Sequence, residues 1–69
     1  MQIKELIRRT QDNLDYYINR KEDLINCLDG ENKLTKDCVH FCYEEIVKAD
    51  KNINYYSSLL EILEGNKNE

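Results

Sequence analysis

Asp29-Gly30-Glu31-Asn32-Lys33-Leu34-Thr35 is the stretch whose reading decides the fold. It interrupts a chain that has no proline and only one other glycine, Gly65, among its 69 residues. Gly30 suits the left-handed residue that follows a helix end, and Thr35 suits the N-cap of a new helix, its hydroxyl placed for the free amides of the first turn. Leu34 before that cap and Val39 four residues into the helix fit a hydrophobic staple, and Asp37 sits where the helix dipole favours an anion. The segment therefore predicts a turn over 30–34 joining a helix over 2–29 to a helix over 35–64. Gly65 is expected to end the second helix, leaving a frayed polar tail over 66–69. One hairpin domain spanning 1–65 follows.

Outward from the turn, both flanks carry the same periodicity. Ile3, Ile7, Thr10, Leu14, Tyr17, Lys21, Leu24 and Leu28 recur at alternating steps of four and three, as do Val39, Cys42, Ile46, Ala49, Ile53, Tyr56, Leu60 and Leu63. Such spacing makes one apolar seam on each helix, with Thr10 and Lys21 as polar interruptions of the first. A short turn sets the helices antiparallel, so facing residues should have numbers with a constant sum. A sum of about 63 sets larger residues against smaller ones, for example Leu24 with Val39, Tyr17 with Ile46 and Leu14 with Ala49. Flanking that seam, it brings Arg20 to Glu45 and Cys27 to Cys38.

The seam does not use every large apolar residue. Tyr16, Phe41, Tyr55 and Ile62 lie outside it, on the same flank as Leu6 and Leu59, and Phe41, Tyr55 and Ile62 recur at multiples of seven. A lone hairpin buries little, so this second stripe calls for a partner. The expected architecture is all-α, an antiparallel two-helix coiled-coil hairpin that dimerises into a four-helix bundle. The other candidate occupant of Leu6, Tyr16, Phe41, Tyr55, Leu59 and Ile62 is a larger protein, because tyrosine and phenylalanine are enriched at interface hot spots. Asn13-Leu14-Asp15-Tyr16-Tyr17 and Asn52-Ile53-Asn54-Tyr55-Tyr56 echo one another, each placing one tyrosine in the seam and one outside it.

Composition narrows the function classes. With 41% apolar and 35% charged residues the chain is neither disordered by composition nor a membrane span. A formal net charge of -4 disfavours direct nucleic-acid binding. Met1-Gln2-Ile3-Lys4-Glu5 has no apolar leader core, so a cytoplasmic protein with three reduced cysteines is expected.

Candidate chemistry is sparse. Cys38 and Cys42 share a helix face, but His40 lies about 200° around the helix from Cys38, so no metal site is expected and the thiols read as small packing residues. Oxidation of Cys27 with Cys38 would staple the turn end. Asp12 with Asp15 and Glu61 with Glu64 have the spacing of helical carboxylate pairs, yet the register holds them far apart. Arg8 with Asp12 and Glu44 with Lys48 fit intrahelical ion pairs. No phosphate-binding loop or nucleophile-base pattern is present. Leu34-Thr35 followed by Val39, after Ile18, Lys21, Leu24 and Ile25, resembles the small helical-hairpin phosphatases that act on sporulation response regulators. The positions of that family's catalytic Ser and Asp fall near Tyr43 and Val47, so the resemblance implies the hairpin and not the activity. The sequence thus predicts no enzyme and no cofactor. It predicts a module that binds and modulates a larger cytosolic protein, for instance a mobile-element or phage inhibitor of host machinery, with a self-assembling bundle or a stabilised subunit of a complex as the alternative.

Overall fold

The computed structural model describes residues 2–30 and 34–67. Two α-helices, α1 (Ile3–Asp29) and α2 (Lys36–Lys67), pack against one another along a body 52 Å long. Part of the predicted turn, 31–33, and the end of the tail, 68–69, lie outside the described residues. The start of α2 forms as its sequence dictates: the Thr35 hydroxyl accepts the Cys38 amide at 3.2 Å, and the Val39 amide donates to the Thr35 carbonyl at 3.0 Å. Gln2 caps α1 without its side chain, its carbonyl accepting the Glu5 and Leu6 amides at 3.1 Å each.

Both glycines behave differently from expectation. Gly30 is extended, at φ -65° and ψ 157°, and its amide closes on the Cys27 carbonyl at 3.4 Å. The chain leaves α1 by straightening, so no left-handed residue is required there. Gly65 does not end α2, which continues to Lys67. A glycine inside a helix costs only about 1 kcal/mol, and Leu63, buried two residues earlier, anchors this last turn against α1.

The core is one seam wide. Leu14, Leu24, Cys42, Ala49 and Leu63 are buried, Ala49 most completely at 2% exposure, and the other seam residues are half-buried. Val39 is the exception, since at 43% exposure it stands at the margin of the seam. The two polar interruptions are resolved in different ways. Thr10, only 3% exposed, donates its hydroxyl to the Leu6 carbonyl at 2.7 Å and so buries no unpaired group. Lys21 lays its stem along the seam and reaches Asp50 at 2.6 Å.

Cross-helix contacts correct the register. Arg20 pairs with Glu45 as expected, at 3.3 Å, but Cys27 neighbours the Cys42 thiol, Lys21 meets Asp50, and Tyr17 stacks on Tyr56. The residue numbers of the last three pairs sum to 69, 71 and 73, above those expected. Side chains lean toward the N-terminus of their own helix, so in an antiparallel pair the residues that touch carry a higher sum than those that lie level. The rest is a slide that the seven-residue repeat permits and that gives Lys21 a carboxylate in place of Cys42. Intrahelical pairs also differ in part. Arg8 bonds Asp12 at 3.2 Å as predicted, whereas Glu44 takes His40 at 2.9 Å and Lys48 turns to Glu45 at 3.2 Å.

The backbone at the glycines yields a direct test. A Cβ on Gly30 would meet the Cys27 and Asn26 carbonyl oxygens at 3.4 and 3.6 Å, ordinary contact, and one on Gly65 would meet nothing within 4 Å. Gly30→Ala and Gly65→Ala should therefore each leave stability unchanged or raise it by about 0.5–1 kcal/mol in urea unfolding followed by circular dichroism. A loss of more than about 1 kcal/mol for Gly30→Ala would instead mean a left-handed residue there.

Candidate docking face

The echoed tyrosine pairs come together. Tyr17 and Tyr56 stack across the seam with ring centroids 5.8 Å apart and 13° between planes, while Tyr16 and Tyr55 set their edges against them at 5.0 Å, inclined by 83° and 77°. The inner rings are half-buried, and the outer rings stand on one face of the hairpin. Edge-on contact holds Tyr16 and Tyr55 in place before any partner arrives, which lowers the ordering cost of docking on them.

The rest of the predicted stripe divides by position. Phe41 lies toward the turn end, and Leu6, Leu59 and Ile62 lie toward the open end. Tyr16, Phe41, Tyr55 and Ile62 are 56–62% exposed, Leu6 is 37% exposed, and Leu59 is half-buried. Between Phe41 and the tyrosines sits a polar notch lined by Tyr16, Arg20, Glu45, Lys48 and Asn52. Lys48 and, less strongly, Arg20 hold the Glu45 carboxyl below its usual range, their ion pairs outweighing the effect of its partial burial. The notch thus carries two cations around one carboxylate.

A second apolar face lies on the opposite side. Ile18 and Ile25 from α1 and Tyr43 and Val47 from α2 are all exposed, Tyr43 at 64%. Leu34, Val39, His40 and Tyr43 line one hollow there, and Tyr43, Val47 and Lys51 help to line the next. The sequence carries a signal for this face, since Ile18 and Ile25 are seven apart and Tyr43 follows a seam position.

The thiols form a separate group at the turn end. Cys42 is a buried free thiol with Cys27 and Cys38 as neighbours, and those two are exposed. Burial first, and then the neighbouring Cys27, pushes the Cys42 thiol up. Among the described residues no three His, Cys, Asp or Glu side chains are grouped as metal ligands would be, and no helix is long and apolar enough to cross a membrane. Compared with known proteins, the chain matches no family model, no curated protein and no solved structure.

Two measurements check this description. A maleimide should label Cys27 and Cys38 in the folded protein and reach Cys42 only after denaturation, as counted by mass spectrometry. Because the Glu45 carboxyl titrates lower folded than unfolded, the stability it contributes is present above the ordinary carboxylate range and is lost as pH falls through its folded value. Between about pH 5 and 3, Glu45→Gln should therefore show a shallower loss of stability than the parent chain. Identical slopes would remove the Arg20–Glu45–Lys48 cluster as an electrostatic unit.

Proposed function

We propose that this protein is an interaction module without catalysis of its own, which docks on a larger protein through its apolar faces and modulates it. The observation that carries the reading is the amount of organised apolar surface left outside the seam. A folded chain of 8.3 kDa exposes about 4,600 Å² when compact, and this one exposes 5602 Å². That surface includes Tyr16, Phe41, Tyr55 and Ile62 on one face and Ile18, Ile25, Tyr43 and Val47 on the other, with Tyr16 and Tyr55 in edge-on contact with their inner neighbours. Tyrosine-rich, pre-ordered and flanked by charges, such a face has the composition of an interface centre and rim. A cytoplasmic inhibitor or regulator, of the kind mobile elements direct at host machinery, is the concrete form of the proposal, and the net charge of -4 turns it toward protein rather than nucleic acid.

A second reading is a self-assembling four-helix bundle. It is favoured by shape: the radius of gyration is 15.7 Å, against about 11 Å for a compact chain of this length, as for one layer of a two-layer domain. The readings are compatible, because a bundle closed on the Tyr16–Tyr55 face still presents the Tyr43–Val47 face.

Affinity capture with the full tagged chain tests the module. The parent should retain a stoichiometric partner, and that partner should be lost by either Phe41→Asp with Tyr55→Asp or Ile18→Asp with Tyr43→Asp, whichever face it occupies. A partner kept by both variants, or none retained by the parent under native salt, would sink the docking proposal.

A further inference from the structure

We propose that the Tyr16–Tyr55 face is closed by a second copy of this chain, related by a two-fold axis perpendicular to the helices, so that α1 lies antiparallel on α1 and α2 antiparallel on α2. This names a partner for the face and rests on its being a docking surface. The surface is there to be covered: Tyr16, Phe41, Tyr55 and Ile62 are each more than half exposed along this face, where a specific interface covers about 800 Å² on each partner. The interior calls for it as well, since no large side chain is fully buried in the single hairpin.

The stripes themselves choose the symmetry. On α2 the outward positions at seven-residue spacing are Phe41, Lys48, Tyr55 and Ile62, and on α1 they are Arg9, Tyr16 and Asp23, all seven exposed. An axis passing midway between Lys48 and Tyr55 sets Phe41 on Ile62 of the second copy and Lys48 on Tyr55 of the second copy, an apolar contact and a cation-π contact. An axis passing at Tyr16 sets Tyr16 on its own counterpart and Arg9 on Asp23 of the second copy. One axis satisfies both conditions only if Tyr16 lies level with residues 51 and 52 of α2. The cross-helix contacts beside it bracket that level: Arg20 pairs with Glu45 and Tyr17 stacks on Tyr56, on either side of the match that the single axis needs. Every pair is then complementary, and each charge pair occurs twice. A two-fold axis parallel to the helices would instead set α1 against α2, with Arg9 level between Tyr55 and Ile62 and Asp23 level between Phe41 and Lys48 of the second copy, so it brings no Arg9–Asp23 pair together. Within the monomer Arg9 bonds Glu5 at 3.2 Å, and Asp23 has no cation within 4 Å among the described residues, so the pairing uses a carboxylate the hairpin leaves open.

Charge reversal tests this without touching the seam. In sedimentation equilibrium the parent chain should have twice its 8.3 kDa mass. Arg9→Asp opposes two carboxylates at each end of the interface and Asp23→Arg opposes two guanidinium groups, so each alone should weaken the dimer about tenfold or more. Mixed in equal amounts, these two variants should form a heterodimer of parental affinity, because every reversed charge then faces its opposite. Phe41→Asp should give a monomer. Circular dichroism identifies any variant that has lost its helices, and the charge variants decide the matter if Phe41→Asp is one of them. A monomeric parent, a dimer that Phe41→Asp leaves intact while helical, or a mixture no tighter than its components would overturn the two-fold. A monomeric parent that still captures a foreign protein would end the dimer and spare the docking reading. A dimer with no foreign partner would do the reverse.

Discussion

Two helices in contact bury one stripe each, and that limit governs everything else in this molecule. A helix of 27 or 32 residues presents its whole circumference, yet the only apolar surface it removes from water is the strip against its neighbour. Larger domains solve this with a second layer. Among the described residues there is one layer, and the side chains that would face a second are exposed: Phe41, Tyr55 and Ile62 on one side, Tyr43 and Val47 on the other. The seam is consequently economical, with small Ala49 and Thr10 its most buried residues and the Tyr17 and Tyr56 rings only half-buried.

The hairpin was legible in the sequence because its two signals agree. Heptad spacing on both flanks sets the seam, and Thr35 starts the second helix by a local hydrogen bond that needs no tertiary information. What failed were the inferences that depend on how two surfaces meet. A seven-residue repeat is by construction compatible with several registers, so residue sizes in facing layers could not separate them. The choice falls to particular atoms: the Lys21 ammonium reaching Asp50, and the Tyr17 ring lying flat on Tyr56. Val39 became marginal and Cys27 came to neighbour Cys42 as consequences of the same slide. Glycine misled for a different reason. Its freedom at positive φ is a permission and not an instruction, and neither Gly30 nor Gly65 uses it.

The exposed stripe proposed as a docking face was partly legible. Its six residues were identifiable as what the seam does not use, and the structure leaves five of them exposed. The sequence could not indicate that Tyr16 and Tyr55 rest on a stacked inner pair, because that depends on the register. Nor could it indicate that charged residues at the same heptad positions, Arg9, Asp23 and Lys48, belong to the face. A stripe searched for by hydrophobicity omits the charges that give it an orientation.

On the proposed reading, partner binding and folding are the same problem for this chain. With a single seam the folded hairpin competes against a large conformational entropy on little buried area, and any protein that covers a second face adds stability by mass action in proportion to its free concentration over its dissociation constant. The ordering of Tyr16 and Tyr55 in the isolated hairpin means that part of this cost is met before association. The remainder is met on contact, when rings that are more than half exposed leave water. A small protein built this way gains specificity from incompleteness. The surface that destabilises it alone is the surface that a matching partner stabilises, and the mixed charges along that surface penalise partners, or orientations of the same partner, that would cover the rings but misplace Arg9 and Asp23.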